Sequence, residues 1–161
     1  MTESRFMCRI SLFALLLVVT SVGSALAHGK ENHSEKAKME QHMLAMMAVK
    51  DQVPEDLRVM ERTPIIPEAA SLAKGKDLFM QNCAVCHGEN GDGKGPAAPA
   101  LNPQPANFLD NKHSSMYGPG EKYWIIGNGT GNTGMPPFPQ LTPVERWHLV
   151  NYILDLQEKN Q

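Results

Sequence analysis

The chain reads as all-α on three observations. No segment alternates apolar and polar residues at the period of two that a half-buried strand requires. Thr142-Pro143-Val144-Glu145 combines a hydroxyl N-cap, a proline at the first helical position and a glutamate at the third, a start signal for a helix reaching about Glu158. Glu68 to Gln81 reads as a helix that runs into the pentapeptide Cys83-Ala84-Val85-Cys86-His87.

The elements follow in chain order. Arg5 and Arg9 precede an apolar run, Ile10 to Val22, and the small-x-small triplet Ala25-Leu26-Ala27 follows it, so residues 1–27 are expected to be a secretory signal peptide. The run is 13 residues long, short of the roughly 20 that span a bilayer. A membrane association is therefore expected only indirectly, or if the signal stays uncleaved. Cys8 precedes the apolar run and is not placed like an acylation site.

Residues 28–67 form a Met- and His-rich, aromatic-free extension. Ser34 to Lys50 reads as a helix with Ser34 as N-cap, and Met39, Met43, Leu44, Met46 and Met47 fall on one side of it. Pro54 opens a short turn over Glu55 to Met60. The stretch Arg62 to Pro67, with two prolines, is expected to be extended. The extension has too little apolar content to fold alone and should lie on the following domain or on a partner. Its histidines and methionines suit copper, although methionine at helical spacing is more often packing.

Residues 68–161 form the second domain. Gly88 to Asn107 and Gly127 to Pro139, dense in Gly and Pro, read as loops. Glu121 to Ile126 is expected to be a short helix. Removing Met1–Ala27 takes two basic residues and one acidic residue from totals of 15 and 17, leaving 13 against 16 and a formal charge of −3. That balance gives no reason to expect a nucleic-acid partner.

The spacing C-x-x-C-H is the attachment signal of a c-type haem. Cys83 and Cys86 lie three apart, on one face of a helical turn, where both thiols can bond haem vinyl groups; His87 then serves as proximal iron ligand. A zinc site wants about four ligands and no second cysteine pair exists; a thioredoxin-like pair wants a βαβ context. One motif means one haem. With aromatics at only 6%, the haem would supply much of the apolar core.

Met135, in Gly134-Met135-Pro136-Pro137-Phe138, is the expected distal ligand, 48 residues beyond His87. Its soft thioether raises the iron potential, and the prolines stiffen its loop. Met116 and His113 are rivals that lack flanking prolines. Met80 reads as helix packing, His148 as packed or solvent-facing, and Met39 to Met47 lie too far off in sequence.

These residues resemble a class I cytochrome c of the small bacterial monohaem type. The resemblance covers about Ala70 to Leu156 and rests on Gly75 and Phe79 in the first helix, Cys83-x-x-Cys86-His87, Gly95-Pro96, Met135-Pro136, and Leu149 with Tyr152 in the last helix. It implies the cytochrome c fold, three to five helices around one covalently bound haem, with Gly75 allowing the terminal helices to approach and Phe79 and Tyr152 filling their crossing. It also implies that a loop proline carbonyl, Pro96 first or Pro99, accepts a hydrogen bond from His87 Nδ1. Asn132 or Trp124 would hydrogen-bond near the haem or its propionates, or else cap a loop and pack the core. Asn102 to Phe108 resembles bacterial domains of electron-transfer chains.

The expected function is periplasmic one-electron transfer through a single haem c with His/Met ligation, exchanged with redox partner proteins and without substrate chemistry. The alternatives are a haem-bearing subunit of a larger oxidoreductase, and a haem peroxidase or gas sensor with an open distal site. The Gly127–Gly134 loop offers no distal acid/base pair for the last of these.

Overall fold

Gly75 sits where two long helices touch. The computed structural model describes residues 23–131 and 133–159; the expected signal through Val22 and the candidate Asn132 lie outside them. The helices are α1 (Gly23–Lys50), α2 (Glu55–Arg58), α3 (Ala69–Asn82), α4 (Ala84–His87), α5 (Asn111–Ser114), α6 (Pro119–Asn128) and α7 (Pro143–Glu158), with a 3₁₀ turn at Ala98–Ala100. Among the described residues there is no strand, as the sequence predicts. None of their helices is long and apolar enough to cross a membrane.

The most extensive pairing is α3 on α7. A methyl group at Gly75 would lie 2.8 Å from Tyr152 Cβ and closer still to the His148 carbonyl oxygen. Only a residue without a side chain lets the backbones approach so far. Phe79, Leu149 and Val150 are fully buried beside this contact, and the Phe79 and Tyr152 rings meet edge to face at 5.4 Å. Each such large apolar side chain contributes about 2–3 kcal/mol by leaving water. The start of α7 matches its signal: Thr142 Oγ1 accepts from Glu145 N–H and the Glu145 carboxylate accepts from Thr142 N–H at 3.0 Å. Helix α6 joins through Tyr123 stacked on Trp147 at 4.1 Å, with the Arg146 guanidinium 4.6 Å over the Tyr123 ring.

The contacts divide the chain after Gln41, into Met1–Gln41 and His42–Gln161, and not after Pro67. Residues 42–67 are therefore part of the unit that holds the Cys-x-x-Cys-His turn. Val49 and Val53 are buried, Leu57, Met60 and Ile65 pack against the core, and four polar ties add to this. Tyr117 Oη donates to the Met46 carbonyl at 2.8 Å, and Lys50 Nζ meets the buried Glu121 carboxylate at 3.2 Å. In the proline-bearing join, Asn151 Nδ2 donates to the Ile65 carbonyl and Thr63 Oγ1 to Asn151 Oδ1. The join is non-helical, with bends at Arg62, Pro64 and Ile65. In the first unit the described residues 23–41 are the leading part of α1. Ser34 lies within this helix and not at its cap, because nothing between Gly23 and Ser34 is a proline and a single glycine costs only about 1 kcal/mol.

Two outcomes follow. Gly75→Ala gains about 1 kcal/mol of helix propensity but drives Cβ into a rigid carbonyl, which costs roughly 1–3 kcal/mol or more. The clash wins, so the melting temperature of the haem-loaded protein falls; an unchanged or higher value refutes the packing assignment. Lys122 is buried, its ammonium donating to the carbonyls of Ser114 and Tyr117, and burial pulls its pKa from 10.5 down to about 8. The unfolded chain keeps this proton up to the ordinary lysine value, so the unfolded state binds more protons between those limits and stability rises with pH. Urea unfolding should show a rise over about pH 8–10, of at most ~1.4 kcal/mol per pH unit. Above that the Tyr117 phenol, pushed up to about 12 by burial, acts in the opposite sense. Lys122→Met should flatten the rise, and a profile identical to wild type would rule Lys122 out as its source.

Candidate functional site

Helix α3 ends where Cys83 N–H donates to the Phe79 carbonyl at 2.8 Å, and the single turn α4 follows. Within it, Cys86 and His87 N–H both return to the Cys83 carbonyl, at 3.1 and 2.9 Å. The turn places the two cysteines three apart on one side, both as free thiols, Cys83 buried and Cys86 half-buried. Burial, with Cys86 alongside, pushes the Cys83 thiol up to about 12.

The following loop wraps this turn. Gly93 N–H donates to the His87 carbonyl, Gly95 N–H to that of Cys86 and Ala97 N–H to that of Val85, at 2.8, 3.1 and 2.9 Å. A side chain at Gly95 would stand 2.5 Å from the Val85 oxygen, so the Gly-Pro pair after the motif is a close-approach requirement.

His87 is held on two sides. Its Nδ1 lies 3.0 Å from the Ala106 carbonyl oxygen, and its ring stacks on Phe108 with centroids 4.8 Å apart and planes 21° from parallel. Phe79 closes the cluster, 6.1 Å from Phe108 and 6.5 Å from His87. Donation from Nδ1 to a carbonyl leaves Nε2 as the free nitrogen, the arrangement that orients a metal-binding imidazole. Burial lowers the His87 pKa and the bond to Ala106 only partly opposes it, so the ring stays neutral, as a ligand must.

The carbonyl acceptor is not the expected proline. Pro96 and Pro99 are exposed, because the loop that carries them is bonded flat against the outside of α4. Phe108 N–H bonds to the Gly91 carbonyl at 2.7 Å, and this brings Ala106 across to His87. Ala106 and Phe108 are the residues that sequence reasoning missed. A main-chain acceptor has no residue signature; Phe108, the one aromatic in the Asn102–Phe108 stretch, offered the available hint.

Met135 is half-buried against the core cluster that includes Cys83. Its loop hangs from the end of α6: Thr130 N–H donates to the Met135 carbonyl and Phe138 N–H to that of Ile126. Pro136 and Pro137 face outward. The rivals have other neighbours. His113 Nδ1 is 3.3 Å from Asp110 Oδ2 and its ring faces His42, while the Met116 carbonyl accepts from Lys50 Nζ. Met80 is 39% exposed, and Met39 and Met47 more than half. Trp124 is half-buried on α6, and its carbonyl accepts from Asn128 Nδ2. His148 Nδ1 pairs with Ser71 Oγ at 2.8 Å, away from any ligand role.

Paired thiols on one turn, an adjacent neutral imidazole with one nitrogen tied and one free, and an all-α frame define a haem-attachment domain, and this donor set fits a c-type haem. Residues 72–157, more than half of the chain, match the cytochrome c family, and the chain belongs to that family. Members carry haem c with its iron and transfer electrons through it. Among solved structures, a chain of a reducing HAO-like protein complex from Kuenenia stuttgartiensis is similar, with 29% sequence identity and a TM-score of 0.53 over 61% of this chain. The match spans about half, 49%, of that longer chain. No curated protein matches.

Proposed function

We propose that this protein is an exported one-electron carrier with a single haem c. Cys83 and Cys86 would hold the haem by thioethers, and His87 through Nε2 and Met135 through its thioether are the side chains that would ligate its iron. The single observation that carries this reading is the Cys83–His87 turn with His87 Nδ1 anchored on Ala106. The haem supplies reversible one-electron iron chemistry that no side chain provides. The chain's own part is to orient and bury. Ala106 and Phe108 hold the His87 ring in one orientation and keep it neutral, and the Phe79–Tyr152 crossing dries the surroundings. The Gly134–Pro137 segment presents a soft ligand that favours the reduced state.

Residues 1–27 are the cleaved export signal in this reading, and the protein works in the periplasm with redox partner proteins. The second reading, a haem-bearing subunit of an oxidoreductase, draws support from one observation: the similar solved chain is named as part of a complex. Co-purification of a stable partner from the native host separates that role from a free carrier.

The visible spectrum of the exported protein, oxidised and then reduced, tests ligation. Sharp low-spin bands with a weak far-red thioether-to-Fe(III) band are expected. Met135→Ala should keep the haem attached, remove that band and lower the potential; an unchanged potential refutes Met135 as ligand. Cys83→Ala with Cys86→Ala should leave no haem on the chain after denaturing electrophoresis. Haem retained by that double variant overturns the attachment assignment.

A further inference from the structure

The last two turns of α1 lie along residues 113–121, and the contacts repeat at helical spacing. His42 faces His113, with ring centroids 6.3 Å apart at 62°. Four residues on, the Met46 carbonyl takes the Tyr117 hydroxyl, and four further on Lys50 Nζ reaches the Met116 carbonyl at 3.1 Å. Residues 42, 46 and 50 therefore form one stripe of α1 turned toward 113, 116, 117 and 121. On the other side, Met116 N–H bonds back to the His113 carbonyl, so His113 and Met116 share one turn. Each side carries a histidine and, one helical turn away, a methionine. His42, Met46, His113 and Met116 are all half-buried, open enough to admit an ion and packed enough to hold one.

Two features of the histidine pair fit a metal. Imidazole nitrogens sit about 2 Å from a bound ion, which puts two ring centres on one ion about 5–6 Å apart. The observed separation of the two ring centres is 6.3 Å. His113 Nδ1 meets the Asp110 carboxylate at 3.3 Å, which leaves Nε2 as the ligating atom, the carboxylate–histidine pairing that orients metal-binding imidazoles. Among the described residues no group of three or more His, Cys, Asp and Glu side chains is placed to hold a metal, so a zinc-type ligand set is not built here. Imidazole with thioether selects copper, and the soft sulfur favours Cu(I).

We propose that His42, Met46, His113 and Met116 form a Cu(I) site between the end of α1 and the α5–α6 segment, separate from the Cys83–His87 turn. The test is an anaerobic Cu(I) titration of the full haem-loaded protein, its haem reduced beforehand, against a coloured Cu(I) chelator. One Cu(I) per chain should be withdrawn from the chelator. His42→Ala with His113→Ala should weaken binding by roughly 100-fold or more, and Met46→Leu with Met116→Leu by roughly 10–100-fold. The leucines conserve volume, so the fold is kept, and an unchanged helical circular dichroism spectrum verifies this for every variant. His28→Ala with His33→Ala should bind as wild type. Four results overturn the site: no copper withdrawn, loss that follows His28 and His33 instead, thioether variants that bind as tightly as wild type, or Zn(II) bound as tightly as Cu(I). X-ray absorption at the copper edge gives a second readout, with both nitrogen and sulfur neighbours expected; a shell without sulfur refutes the thioether ligands.

Discussion

The backbones of α3 and α7 meet at Gly75, and the spacing of that contact governs what surrounds it. Because the helices approach without an intervening side chain, the next turn of α3 can bury Phe79 completely and bring it edge to face with Tyr152. Phe79 in turn touches Phe108 and His87, so one aromatic chain runs from the helix crossing to the His87 imidazole. The Cys83–His87 turn hangs on the end of α3, and its position is inherited from the crossing. A wider crossing would leave Phe79 unsupported and move His87 relative to the rest of the core.

A second layer of order is polar. The segment preceding α3 buries Val49 and Val53 and packs Leu57, Met60 and Ile65 on the core, and hydrogen bonds with one partly buried ion pair fix its position there. Asn151 on α7 gathers Thr63, Ile65 and Ser71, while Lys50 compensates a Glu121 carboxylate with almost no access to water. A buried carboxylate without its cation costs far more than an exposed pair gains, so Lys50 selects where α1 ends against α6. This explains why a stretch that looks separable by composition belongs to the same compact unit from His42 onward.

Much of this was readable from residue patterns. The helices at 69–82 and 143–158 begin within a residue of their expected starts, and the cap and proline of the second act locally. The absence of strands among the described residues and the Cys-x-x-Cys-His turn were equally plain, because each depends on short-range spacing. The start of α1 was not, since nothing marks its first turn. The division after Gln41 was not either, because it depends on contacts between residues some 70 to 90 positions apart, Tyr117 with Met46 and Asn151 with Ile65. The acceptor for His87 was sought among prolines by resemblance and lies at Ala106, ten residues beyond Pro96, where a backbone oxygen carries no compositional mark.

That acceptor has a consequence for how the protein can vary. The oxygen that anchors His87 belongs to the peptide unit, and every amino acid brings the same one. Exchanging Ala106 for another residue alters a methyl group and leaves the anchor in place. What removes it is a change in path: an inserted or deleted residue between Gly91 and Ala106 would shift which carbonyl arrives at the ring. The anchoring oxygen is thus set by the length of the loop and not by the side chain at 106, so position 106 is free in composition while Gly91, Gly93 and Gly95 stay fixed by backbone conformation and close approach.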